Sequence, residues 1–177
     1  TGAINDVGAF IRSNSGKSFR SGIELQASYQ PYAWLKVSPN LSVSTNKNKN
    51  YINQSSDSTS VNLGNTDIAY SPQLIAANTL EFKLPKGISV ALLSKYAGKQ
   101  QLDNTASTSL KLDAYFVNDL RINYNFKAFG IKNIGVNALV NNVFNVRYSS
   151  NGYVYDGTPY YFTQAGTNFL VALNIKF

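Results

Sequence analysis

Histidine, cysteine and methionine are all missing from the 177 residues. Thiol catalysis, disulfides, zinc sites of the usual ligand set and imidazole acid–base chemistry are thereby excluded. Asp103, Asp113 and Asp119 show no recognisable dyad spacing, so the sequence points away from an enzyme and assigns no cofactor and no metal. What remains is binding. Tyr153, Tyr155, Tyr160 and Tyr161 cluster between Arg147 and Gln164, where apolar rings with polar tips present an aromatic surface to a ligand. The competing reading is that they pack that segment against itself. Lys83, Lys95 and Arg121 occupy the polar side of alternating stretches and favour anionic ligands, unless neighbouring carboxylates pair with them. The net charge of +7 is scattered, and its longest cluster is Asn46-Lys47-Asn48-Lys49-Asn50. A nucleic-acid footprint concentrates on one face, so nucleic acid is not an expected partner.

The elements that must position these residues are strands. Phe169, Val171, Leu173, Ile175 and Phe177 alternate with Leu170, Ala172, Asn174 and Lys176, which places the two sets on opposite faces of a β-strand. The same period marks Ile23 to Tyr29, Leu35 to Val43, Leu74 to Leu84, Ile88 to Tyr96, Ala114 to Phe126 and Ile134 to Val140. Pro39 interrupts its strand and calls for a bulge or a locally unpaired site. Residues 1–18 read as the end of a preceding element plus a loop. The polar segment Thr45 to Ser71 has too little apolar area for a packed element and is expected to be a long, mobile loop. Further loops are expected near residues 98–109 and 147–164. Short connections fall at Pro31 to Trp34, Pro85 to Gly87 and Lys127 to Lys132. No helical period is present, so the fold class is an all-β antiparallel meander.

Short and long connections alternate strictly, which puts the tight turns at one end of the sheet and the long loops at the other. Bacterial outer-membrane barrels are built this way. Strands of ten to twelve residues suit a tilted crossing, charged residues are only 14% of the chain, and Tyr29, Trp34, Phe82, Tyr96, Tyr124 and Phe126 sit near strand ends as interfacial girdles would. The reading is a transmembrane β-barrel in the bacterial outer membrane, with a wet lumen behind the polar faces. Seven strands do not close an even-numbered barrel. Either residues 1–14 add an eighth, or residues 1–177 are the C-terminal portion of a larger barrel. The missing signal peptide and ragged start favour the second. A complete eight-stranded barrel acting as an adhesin or anchor is one alternative, and a soluble carbohydrate-binding β-sandwich is another.

Three stretches carry a family resemblance. Gly16-Lys17-Ser18-Phe19-Arg20-Ser21-Gly22-Ile23-Glu24-Leu25 resembles the "GKS…R.GIEL" segment of TonB-dependent outer-membrane receptors. Leu139 to Tyr148 is similar to their "NLFN..Y" segment, and Tyr161 to Phe169 to their "YPQAGRNF" approach to the last strand. Thr163 and Thr167 stand where the family often has proline and arginine. The flavour resembles receptors of Bacteroidetes-type bacteria. The resemblance implies the last seven to eight strands of a 22-stranded, plugged barrel that takes up a scarce ligand such as an iron–siderophore complex. The implied partners are the plug domain and remaining strands, the TonB complex through the missing N-terminal part, outer-membrane lipid and lipopolysaccharide (with residues 46–50 as candidate phosphate contacts), and the barrel-assembly machinery, for which Phe177 resembles the terminal signal.

Overall fold

In the computed structural model, residues 16–54, 60–128 and 130–176 are described. Seven long strands form one antiparallel layer: β1 (Lys17–Gln26), β3 (Leu35–Lys49), β7 (Leu74–Leu84), β8 (Ile88–Ala97), β11 (Tyr115–Ala128), β12 (Ile131–Asn141) and β15 (Asn168–Lys176), neighbours in that order. The short strands between them are β2 (Tyr29–Tyr32), β4 (Ile52–Gln54), β5 (Ser60–Asn62), β6 (Thr66–Asp67), β9 (Gln100–Gln101), β10 (Lys111–Leu112), β13 (Ser149–Tyr155) and β14 (Thr158–Thr163). Among the described residues no α-helix occurs and β1 is not paired with β15.

The register turns the sequence alternation into two continuous faces. Val37, Leu80, Leu92, Leu120, Val140 and Phe169 lie side by side across six strands. One residue further along, Lys36, Glu81, Ala91, Arg121, Leu139 and Leu170 form the matching row on the opposite face. The apolar face is bare: Phe169 is 77%, Ile23 67% and Val171 66% exposed. Accessible surface totals 12241 Å², against roughly 8,500 Å² for a globular chain of this mass. A β-sandwich covers its apolar face with a second sheet, and no second layer covers this one among the described residues. A single layer with an apolar outside and a polar inside is the wall of a membrane barrel.

Both prolines of the first hairpin sit where the ladder tolerates them. Pro39 pairs with Asn78 of β7 on one side. On the other, Ala27 N–H donates to the Pro39 carbonyl at 3.1 Å, but Pro39 has no N–H to return. Ala27 and Ser28 are therefore left between β1 and β2, as the sequence required of Pro39. Pro31 lies within β2 at an irregularity between Tyr29 and Tyr32, and the turn itself is Ala33-Trp34, two residues later than expected. At this short-turn end Trp34 stacks on both Tyr32 and Phe82, with ring centroids 5.4 and 6.2 Å apart. Tyr124 stacks on Phe126 at 4.8 Å. These rings form the expected girdle.

Three expectations are corrected. β1 begins at Lys17, six residues before the alternation does at Ile23, because Lys17 to Ser21 pair with Lys49 to Thr45, and backbone pairing needs no apolar period. The segment 45–71 is also ordered structure, at least in its described residues: β3 runs on to Lys49, β4 pairs with β5, and β6 pairs with β3. Its cohesion is polar. Asn46, Asn48 and Thr66 are buried, Asn48 Nδ2 donates to Thr66 Oγ1 at 3.3 Å, and Lys47 pairs with Asp67 at 2.5 Å. Finally, residues 149–163 form a β-hairpin, β13–β14, in place of a loop. Residues 1–14 and Phe177, to which the sequence assigned a possible strand and the assembly signal, lie outside the described residues.

Candidate functional site

The three long connections all emerge at one end and are knit into a cap. Asn104 Oδ1 accepts from Asn48 Nδ2 at 3.3 Å and from Ala69 N–H at 2.8 Å. Tyr70 joins the other two connections: its N–H donates to Gln101 O at 2.9 Å and its hydroxyl to Gly152 O at 3.1 Å. Leu102, Leu110, Leu112 and Tyr51 are buried as a small apolar centre. Gly152 packs here because a Cβ would meet Tyr160 O at 2.5 Å and the Leu102 side chain at 3.2 Å.

Burial raises the phenol pKa of Tyr51 and Tyr70, and the Asp103 carboxylate raises both further. Tyr148 is raised by burial first, then by Tyr115, whose ring lies 4.4 Å from its own, and by Asp119. A phenol whose folded pKa exceeds its unfolded value stabilises the fold fully below the unfolded value, about 10, and loses that contribution as pH rises through the folded value. The cap should therefore show no tyrosine-linked change between about pH 6 and 9, and should loosen only above about pH 10. Tyrosinate absorbance of folded and unfolded protein tests this. A subset must ionise later in the folded form, and a coincident titration contradicts the assignment.

The hairpin β13–β14 carries the tyrosines singled out by the sequence and divides them. Tyr153 lies opposite Tyr160 and Asn151 opposite Phe162, so these rings share one face with Tyr155. Tyr153 and Tyr160 are stacked at 5.1 Å and 13°, and Phe162 adjoins Tyr153 at 5.7 Å. All are exposed. Tyr161, opposite Gly152, is on the other face and lines a cavity of about 690 Å³ together with Arg147, Tyr148 and Lys111. Three of the four tyrosines share one hairpin face, where Tyr153 and Tyr160 form a platform with Phe162, and the fourth faces elsewhere.

The cations do not join this platform. Lys83, Lys95 and Arg121 belong to the polar face of the sheet, opposite Ser89, Ala77 and Leu139 respectively. Lys95 pairs in register with Val117, four residues from Arg121, which is about 13 Å along the strand. Neither makes an ion pair among the described residues. They are separate charges on the luminal wall, and Glu24 and Glu81 share that face.

A residue the sequence reading passed over holds the last two strands together. Asn142, 4% exposed with φ +51°, immediately follows β12. Its Nδ2 donates to Val146 O at 2.9 Å and Ala165 O at 3.2 Å, and its Oδ1 accepts from Val146 N–H at 2.9 Å. Its own N–H donates to Asp119 Oδ1 at 2.8 Å, and its carbonyl accepts from Thr167 Oγ1 at 2.7 Å. The stretch 139–148 and the stretch 161–169 thus meet at one amide. The visible signal was the Asn142-Val143-Phe144-Asn145 run, since asparagine tolerates a left-handed backbone.

The fold and this geometry define a class: a wall section of a large outer-membrane barrel with a structured extracellular cap. Residues 1–143 match the family described as TonB dependent receptor-like, beta-barrel, and the chain belongs to that family. Its seat is the outer membrane. Among solved structures it is similar to the siderophore receptor PiuA from Acinetobacter baumannii, with a TM-score of 0.77 at 19% identity over 92% of this chain and 22% of that one. It also resembles the ferric yersiniabactin uptake receptor FyuA from Yersinia pestis, with a TM-score of 0.70 at 18% identity over 89% and 23%. The ferric-catecholate import receptor Fiu from E. coli K12 gives 0.69 at 19% over 98% and 23%. The chain spans less than a quarter of the length of these three receptors. No curated protein matches the sequence.

Proposed function

We propose that residues 1–177 are the C-terminal barrel portion of an energy-coupled receptor that imports a scarce ligand of the iron–siderophore class. Family membership supports transport in place of catalysis. The observation that carries the ligand class is the exposed Tyr153–Tyr160–Phe162 platform on the extracellular side, because flat rings with phenol rims suit an aryl, catecholate-type ligand. Structural relatives are named for siderophores and ferric catecholates. The remaining strands and a plug complete the receptor in this reading, the TonB complex drives it through an N-terminal segment, the assembly machinery folds it with Phe177 as its signal, and lipopolysaccharide surrounds it.

Intact mass of the protein from its native outer membrane, together with uptake of radiolabelled ferric catecholate by iron-starved cells with and without the gene, tests this. A species several times heavier than 19.4 kDa and uptake that falls on deletion are expected. A species of 19.4 kDa with heat-modifiable migration overturns the receptor reading in favour of a small barrel. A heavy species with unchanged uptake overturns only the ligand class.

A further inference from the structure

The hairpin β13–β14 holds the only Asn-Gly dipeptide of the sequence, Asn151-Gly152. Glycine has no Cβ to shield its nitrogen or restrict its backbone, so this pair is the one most open to attack by the chain on its own side-chain amide. A paired strand protects such a pair when it holds that nitrogen in the ladder. Here the ladder leaves it free. Tyr155 faces Thr158 across the two-residue turn Asp156-Gly157, and from such a turn bonded and non-bonded pairs alternate. Tyr153 and Tyr160 are then a bonded pair, and Gly152 and Tyr161 a non-bonded one.

The Gly152 N–H therefore points away from β14. It donates to Oδ1 of Asn151 itself at 2.8 Å, which brings the Asn151 amide carbon up to the nitrogen. The Gly152 carbonyl, turned the same way, accepts from the Tyr70 hydroxyl at 3.1 Å, and this bond holds the peptide in place. Just before it the register slips between Ser149 and Asn151, where β13 carries one residue more than β14. A bulge of this kind disrupts the ladder locally. Asn151 is also exposed, so water and hydroxide reach it.

We propose that Asn151 is a site of self-modification through a cyclic imide with the Gly152 nitrogen. Hydroxide removes the Gly152 amide proton, the nitrogen bonds to Asn151 Cγ, and the Cγ–Nδ2 bond breaks with loss of ammonia. Water then opens the imide at either carbonyl, leaving an aspartyl or an isoaspartyl residue. The net change is amide plus water to carboxylate plus ammonium, with no oxidant or reductant involved. Asn151 lies opposite Phe162 and lines a cavity of about 580 Å³ with Tyr70, Gln100, Tyr153 and Phe162. Among the described residues no lysine or arginine lines it, so the new carboxylate has no counter-ion there and turns a neutral ring face anionic. The isoaspartyl product also adds a backbone atom before Gly152, whose close fit to Tyr160 and Leu102 has no room for it, and so releases the Tyr70 link between the connections. The inference rests on the hairpin geometry and not on the uptake reading.

Peptide mapping by mass spectrometry tests this on the purified full receptor, aged either folded in detergent or unfolded in urea at the same mildly alkaline pH. Asn151 should convert at least as fast in the folded receptor as in the unfolded chain, because the fold supplies an approach that the free chain must find. It should outpace every other described asparagine, and its conversion should quicken as pH rises. Asn151→Gln, whose longer side chain must close a larger ring, should stay intact. Heat-modifiable migration verifies that the folded samples are folded. Slower conversion in the folded receptor than in urea means that the strand protects the pair and overturns the proposal, as does another described asparagine converting first.

Discussion

Asn142→Ala should be the most damaging single substitution in the described chain, lowering stability by roughly 3–5 kcal/mol. Three side-chain hydrogen bonds vanish, each worth about 1 kcal/mol net and more where a buried partner is left unpaired. A further ~1 kcal/mol arises because alanine is placed at φ +51°, which an unadorned Cβ resists. The carbonyls of Val146 and Ala165 and the N–H of Val146 then have no substitute partner in that pocket. Asn142→Gly removes the backbone strain but not the orphaned groups, so it should recover only a minor part of the loss. Asn145→Ala is the comparison. Asn145 has a similar φ of +53° but is exposed, and its Oδ1 accepts a single bond, from Thr167 N–H at 3.2 Å, so about 2 kcal/mol is expected, half from the lost bond and half from the same backbone strain. Urea unfolding in detergent, read by the loss of heat-modifiable migration, ranks the three. If Asn142→Ala unfolds no earlier than Asn145→Ala, the clamp is not what joins β12 to β15.

The seven long strands were legible in the sequence because a membrane wall obeys the period of two on both faces, one meeting lipid and the other water. Val37 to Phe169 could be assigned to one face from alternation alone. The cap was not legible, and Asn48 shows why. Its burial is secured by Thr66 and Asn104, polar partners 18 and 56 residues away, and composition arguments reward only apolar burial. Thr167 shows a related blindness. Against the family pattern it looked like the loss of a basic residue, whereas its hydroxyl donates to the Asn142 carbonyl. The apolar face was likewise read as more uniform than it is. Asn78, Ser94 and Asn118 lie side by side on it, and Ser94 Oγ donates to Asn118 Oδ1 at 2.6 Å. Asn118 is buried at 4% exposure, whereas Asn78 and Ser94 are half-buried. The tyrosine cluster was found by type and density, but its division between two hairpin faces depends on the register of Tyr153 with Tyr160, which a loop reading cannot supply.

That register yields the other large expected effect. Tyr153→Ala with Tyr160→Ala should weaken binding of a ferric catecholate to the full receptor by about 30- to 150-fold, equivalent to 2–3 kcal/mol, as loss of a central aromatic anchor pair does. Both rings are exposed, 45% and 44%, so the substitution leaves the packed centre of Leu102 and Leu112 in place and the hairpin backbone paired. The loss should appear in ligand affinity while heat-modifiable migration stays normal. Tyr161→Ala, on the opposite face, should change affinity less than threefold, within the ~0.5 kcal/mol common for positions outside such features. Replacing both platform residues with phenylalanine separates two contributions: a ring-face contact is retained, whereas a contact made by the phenol hydroxyls is lost with alanine and phenylalanine alike. An affinity unchanged in the double alanine variant, or lowered equally by Tyr161→Ala, would remove the platform from ligand recognition and leave the four tyrosines as packing for the cap. The discriminating power comes from the hairpin itself, since adjacent residues Tyr160 and Tyr161 on a β-strand must point to opposite sides, and only one side carries the stacked rings.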